Sequence, residues 1–124
     1  MNLDLFVLIS VLMFFHLLMD FFLQSHYIAV NKSKCNYILF QHVFLYTIGL
    51  SWFGLLYFNY NIEKTLIFSF FTFITHFCTD YITSRVNSYF WSKNRLHDFF
   101  CSVGVDQYIH LLTLLGSLYL IDSF

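Results

Sequence analysis

The chain has 124 residues, 59% of them hydrophobic and 10% charged, with a mean hydropathy of +0.67 and a formal net charge of −1. A soluble domain carries about 45–50% apolar and about 25% charged residues, so this is a membrane composition, and the length holds one small domain at most. Nucleic-acid binding, which needs a clustered basic surface, is excluded.

A bilayer-spanning helix needs about 20 mostly apolar residues, and four segments meet that length: 3–23, 38–58, 65–83 and 99–121. The first has no basic leader and no small-residue cleavage site, and it is too long for the core of a signal peptide, so it is expected to stay in the mature protein. Between the spans lie a connection over 24–37 with Lys32 and Lys34, a tight turn over Asn59–Lys64, and a connection over 84–98 with Arg85, Lys93 and Arg95. The last has room for a short interfacial helix, with Tyr89 and Trp91 suited to the headgroup level. Five of the six basic residues fall in the first and third connections. The positive-inside rule makes those two connections cytoplasmic and puts both termini outside. The expected architecture is all-α, a membrane-embedded up-down four-helix bundle spanning residues 1–124 as a single transmembrane domain. Cys35, Cys78 and Cys101 are odd in number and lack CxxC spacing, so neither a disulfide framework nor a thiolate metal knot is expected. Cys78 and Cys101, in or beside apolar runs, are expected to be buried small hydrophobes.

Inside the spans sit His16 and Asp20, His42, His76 and Asp80, and Asp106 and His110. Three pairs have i,i+4 spacing ("HLLMD", "HFCTD" and "DQYIH"), which puts both side chains on one helix face. With six His and six Asp, chance supplies roughly half of one such mixed pair; three occur, each in a different span. Depth is the stronger signal. At about 1.5 Å per residue, His16 lies roughly 10 Å inside the cytoplasmic end of its span, Asp20 about 5 Å, His42 about 6 Å, His76 about 10 Å, and Asp106 and His110 about 10 and 16 Å. Alternate helices run in opposite directions, and the pairs read His-then-Asp going in and Asp-then-His coming back. Seven ionisable groups therefore converge in one leaflet. Polar stripes extend the layer: Ser69, Thr72 and Thr83 beside His76/Asp80, Ser102, Thr113 and Ser117 beside Asp106/His110, Gln24 after Asp20, and Tyr46 and Gly49 after His42. The bundle is expected to be polar inside and aromatic or aliphatic toward lipid.

Ionisable groups within a membrane are costly and mark functional sites. Three carboxylates buried together repel, and a divalent cation reverses that penalty. Neutral imidazoles and carboxylates suit zinc, with iron or manganese as alternatives, and the supply of ligands allows one ion with supporting partners or two adjacent ions. Water bound to such a metal would serve as a nucleophile in hydrolysis of a lipid-borne substrate, with a spare Asp or His as base. Two other readings stay open. One is a proton or metal-ion channel or transporter. The other is a membrane interaction protein whose His–Asp network only fixes packing. Lys32 or Arg85 offers a cation for an anionic head group at the mouth of the site. His26 and His97 read as solvated positions. The partners expected are membrane lipid and either further copies of the chain or another membrane protein.

"HLLMDFFLQSHYIAVNKSK", "QHVFLY", "THFCTDYITSR" and "VDQYIHLLTLL" together resemble a family of small bacterial and phage integral membrane proteins known only as a domain of unknown function. The resemblance covers nearly the whole chain and implies roles for His16, Asp20, Gln24, Asn31, Lys32, His42, His76, Asp80, Asp106, Gln107 and His110. Of these, Gln24, Asn31, Lys32 and Gln107 are the expected supporting or anion-binding residues. The family commonly has a proline after the first Asp, where this chain has Phe21 and Phe22, so the exit of the first helix is expected to differ. The implied location is a bacterial inner (plasma) membrane. The family brings no activity with it.

Overall fold

The computed structural model describes residues 3–123, which form helices joined by short turns. They are α1 (Leu3–Leu17) running into a π-helical turn (Leu18–Phe22), α2 (His26–Asn31), α3 (Asn36–Tyr57), α4 (Ile62–Ser92) and α5 (Leu96–Asp122). Four stretches are long and apolar enough to cross a membrane: Asp4–Phe22, Asn36–Tyr57, Ile62–Ser92 and Leu96–Asp122. α4 packs along both α3 and α5, while α1 lies chiefly on α3. The result is the all-α bundle expected from the four apolar runs. Two connections, 23–35 and 93–95, share one end of the bundle, which we call the loop end; the 58–61 turn, the start of α1 and the end of α5 share the other.

Each boundary has a local cause. Asn59 and Tyr60 take left-handed φ values of 51° and 63°, closing the α3–α4 turn. Asn61 then starts α4, its side-chain oxygen accepting from the Lys64 amide at 3.0 Å. At the far end of α4, Asn94 sits at φ 55° and the Arg95 amide donates back to the Phe90 carbonyl at 3.0 Å. That is the pattern of a helix closed by a left-handed residue.

Two elements differ from the sequence expectation. α4 continues nine residues beyond 83, to Ser92, so the connection read as 84–98 shrinks to 93–95 and holds no separate interfacial helix. Arg85, Asn87 and Ser88 lower the hydropathy there, but none of them breaks a helix, and no Gly or Pro interrupts the stretch. At about 1.5 Å per residue α4 is roughly 46 Å long, well beyond the ~30 Å that a hydrocarbon core requires. The first connection, conversely, contains α2, whose start is capped by Ser25 accepting from the Ile28 amide.

The half of the bundle near the termini is filled by apolar side chains: Leu12, Tyr46, Leu50, Phe53, Phe58, Phe68, Leu114, Leu118 and Ile121 form one buried cluster. Gly54 lets α3 meet α4 closely there; a Cβ on it would lie 2.8 Å from the Phe68 ring. Large apolar side chains such as Phe14, Phe22, Trp52, Phe70 and Tyr119 point outward. Their exposure is the inverse of a soluble bundle. Cys78 and Cys101 also face outward, against the expectation of burial. They fall on the lipid-type surface of their helices, where an apolar neighbourhood in sequence says nothing of which face a residue occupies.

A buried His/Asp centre as candidate metal site

His16, Asp20, His42, His76, Asp80, Asp106 and His110 are all buried, at 7% exposure or less, and all lie in one layer of the bundle. α1 and its π turn supply the first two, α3 the third, α4 the next two and α5 the last pair. Within that layer the side chains sort into two groups sharing Asp20: Asp20, His42, His76 and Asp80, and Asp20, Asp106 and His110.

The first group is a cage. His42 Nε2 lies 3.0 Å from Asp20 Oδ1, 3.3 Å from Asp80 Oδ2 and 3.2 Å from His76 Nε2. His76 Nε2 is 3.7 Å from Asp20 Oδ1 and 3.6 Å from Asp80 Oδ2. All four ligand atoms fall within 4.8 Å of one another. A tetrahedral zinc with bonds of about 2.0–2.1 Å sets its ligand atoms about 3.3–3.4 Å apart, and the cage edges bracket that value. In the second group, His110 Nε2 is 3.4 Å from Asp106 Oδ1. Asp80 joins the two, with its Oδ1 3.1 Å from His110 Nε2 and its Oδ2 toward His42. The Nδ1 atoms of His76 and His110 are buried without a hydrogen-bond partner among the described residues, so each ring meets its polar neighbours through Nε2. The two rings stack, with centroids 4.3 Å apart, and the Tyr46 ring lies against His76, tilted by 32° with centroids 3.9 Å apart.

His16 sits differently. Its Nδ1 is 2.7 Å from the Tyr46 hydroxyl and its Nε2 2.8 Å from Gln107 Oε1, so both ring nitrogens are engaged outside the two groups. The Gln107 amide nitrogen donates in turn to Asp20 Oδ2 at 3.3 Å and Asp106 Oδ2 at 3.1 Å. Thr83 donates to Asp106 Oδ1 at 2.5 Å. These partners hold carboxylates and imidazole in place, the role that outer partners play around metal ligands. Asp20 itself lies on the π turn, where the Leu23 amide reaches back to the Leu18 carbonyl at 2.8 Å. The wider turn alters the phase of Asp20 relative to His16, so the i,i+4 pair is only a loose contact of 3.9 Å. The Gln24 amide donates to the Asp20 carbonyl and secures the end of that turn. π turns of this kind recur at functional sites.

Lys32, from the end of α2, enters the layer from the loop end. Its ammonium donates to Asp80 Oδ2 at 2.7 Å and stands 3.2 Å from His42 Nε2 and 3.9 Å from Asp20 Oδ1. Burial acts to lower its pKa, but Asp80 and Asp20 outweigh it and hold the ammonium above its ordinary range. The cation is therefore spent inside the protein rather than offered to a head group. Arg85 is likewise engaged, with Asn36 and the Tyr81 carbonyl. Asn31 bonds the Tyr27 carbonyl of its own helix, and His26 and His97 are exposed away from the layer.

A cavity of about 580 Å³ opens beside the centre at the loop end, its floor formed by Asp20, Asp106 and Gln107 and its wall by Ser84, Asn87 and Trp91 of the extended α4. The wall residues carried no signal in the sequence, because Ser and Asn past a span read as connection. The uninterrupted helical stretch to Ser92 was the one clue.

Together these features define a class: an all-α bundle of four potentially membrane-crossing helices around a buried His/Asp centre. The chain belongs to the family described as "Protein of unknown function (DUF3307)", whose model matches residues 7–122. No curated protein and no solved structure matches it.

Proposed function

We propose that this is an integral membrane protein whose buried layer binds divalent metal, zinc in the first instance and iron or manganese as alternatives, and that the centre hydrolyses a membrane-borne substrate at the cytoplasmic side. The observation that carries the metal reading is the cage of Asp20, His42, His76 and Asp80, whose edges to the two histidines run from 3.0 to 3.7 Å. Two carboxylate oxygens and two imidazole nitrogens this close need protons or a metal cation between them, and a divalent ion serves both carboxylates at once. Lys32 supplies part of that positive charge from the cage's edge. The cage offers four protein ligands, the count of a closed site, whereas Asp20, Asp106 and His110 offer three, the count that leaves a position open for chemistry. Asp20 and Asp106 also line the cavity, so the three-ligand group is the one a substrate would reach. A divalent ion there supplies Lewis acidity and a water of lowered pKa.

A pore is the weaker reading. A transport path needs polar lining through both halves of the bundle, and the half near the termini is packed with the Leu12–Phe68–Leu118 cluster. Thr113 and Ser117 turn back to carbonyls of their own helix, and Ser69 to the Thr65 carbonyl and to Ser51, while Thr72 Oγ1 is buried with no partner among the described residues.

Elemental analysis of protein purified without chelator, beside Asp80→Asn, tests the metal reading. About one or two ions per chain in the wild type, lost in the isosteric variant, is the expected result; fewer than about 0.1 ion per chain in the wild type overturns it.

A further inference from the structure

The cavity beside the centre has a polarity that names its occupant. Among the described residues six buried side-chain polar atoms lack a hydrogen-bond partner, and three of them, Gln24 Oε1, Ser84 Oγ and Asn87 Oδ1, belong to residues lining this one cavity. Ser84 is 8% exposed, so its hydroxyl has no ready access to bulk water. Unpaired buried polar groups are rare because each costs free energy, and three of them on residues lining one cavity point to a missing partner. Two of the three are acceptors only, and the lining adds the carboxylates of Asp20 and Asp106, the ammonium groups of Lys32 and Lys34, and three further serine hydroxyls. It therefore mixes donors with acceptors and sets two carboxylates against two ammonium groups, which suits a neutral head group. An anionic head group would meet both carboxylates, and Lys32 is already bonded to Asp80. A bare ammonium would suit the carboxylates but leave the Ser84 hydroxyl half used. Hydroxyl groups satisfy all of them, since each donates and accepts. Apolar and aromatic side chains share the lining, among them Phe21, Val30, Trp91, Phe99 and Val103. The volume of about 580 Å³ lies within the ~300–1,000 Å³ of ligand pockets.

We propose that this cavity binds the hydroxylated head group, glycerol or sugar, of a single- or double-chain membrane amphiphile, with Gln24, Ser84 and Asn87 as its hydrogen-bond partners. Phe21 and Val30, close to the π turn and α2, flank the way in for the alkyl chain. Binding of such an amphiphile stands on the cavity alone. Its role as substrate, presented to the Asp20/Asp106/His110 group on the floor, rests on the metal reading above.

Trp91 lines the cavity and Trp52 lies elsewhere on the surface, so a Trp52→Phe background makes tryptophan fluorescence report on this site. The full chain, purified in an amine-oxide detergent that carries no sugar, is titrated with dodecyl glucoside and monolauroylglycerol. Dodecyl phosphate and dodecyltrimethylammonium test the charge of the head, and free glucose and glycerol test the need for the chain. The expected result is a saturable change with the glucoside or the monoglyceride, at least about tenfold tighter than with the charged amphiphiles and absent with the free polyols. Asn87→Ala and Ser84→Ala should each weaken it by about threefold to tenfold, the worth of one hydrogen bond. Asn87→Leu, which puts a branched apolar side chain in the lining, should abolish it, and circular dichroism checks that each variant keeps its helices. Equal or tighter binding of dodecyl phosphate overturns the proposal, as does the absence of saturation or a response untouched in all three variants. The titration is run on chelator-treated and untreated protein. Saturation in both, with no metal found, leaves this proposal standing and removes the metal centre; metal present without saturation does the reverse.

Discussion

Replacing Lys32 with methionine tests whether the layer is a cation site or merely a packed network. Methionine keeps most of the stem and removes only the ammonium. In the structure that ammonium lies 2.7 Å from Asp80 Oδ2 and 3.9 Å from Asp20 Oδ1, on a side chain 15% exposed. At an effective dielectric of about 20, unit charges at those distances attract by ~6 and ~4 kcal/mol before desolvation. Burial of the ammonium offsets much of this, and removing one partner from a buried charge pair typically leaves a net loss of about 3–5 kcal/mol. Metal-free Lys32→Met protein should therefore unfold earlier by that amount when titrated with sodium dodecyl sulfate in mixed micelles and followed by circular dichroism. Saturating zinc or manganese should then narrow the gap between the two proteins. The ion restores the missing positive charge, and the variant no longer has an ammonium 3.2 Å from His42 Nε2 to repel it. Ion at about 100 times its dissociation constant stabilises by ~2.7 kcal/mol, enough to read. A metal-free difference below about 1 kcal/mol would refute the electrostatic argument. A gap of the same size with and without metal would refute the claim that ion and ammonium compensate the same carboxylates.

Two further outcomes follow from the packing. Gly54→Ala should cost about 1–3 kcal/mol in the same unfolding titration, because the added methyl meets the buried Phe68 ring at 2.8 Å; an unchanged midpoint would show that α3 and α4 can separate freely. In sealed vesicles, Cys35 at the loop end should react with a membrane-impermeant maleimide from the cytoplasmic side alone, while Cys78, on the outward face of α4 within its apolar stretch, should react only with an apolar maleimide. Labelling of Cys35 from outside would invert the proposed orientation, and ready labelling of Cys78 by the impermeant reagent would place that face in water.

The layer itself was legible before any fold was known. The spacing of "HLLMD", "HFCTD" and "DQYIH" and the alternation of their order with helix direction put seven ionisable residues at one depth, since helix rise and the length of an apolar run convert sequence position into depth. The four apolar runs likewise set the all-α class, because composition and run length are properties of the chain alone. What the sequence could not carry was rotation and partnership. Whether Asp20 faces His16 or His42 depends on a π turn that swings it by a fraction of a turn. Likewise, Cys78 and Cys101 look outward although their surroundings in sequence are as apolar as those of buried residues. Lys32 read as a surface anchor, yet α2 folds it back so that its ammonium reaches Asp80, a contact 48 positions away in the chain. The cavity arises only because α4 runs on past its apolar stretch and α5 starts beside it, and Ser84 and Asn87 acquire meaning from that juxtaposition. Depth along a helix is a local property that residue order determines. Which atoms meet at that depth is decided by helix phase and by packing between segments far apart in the chain, and only the tertiary structure holds that information.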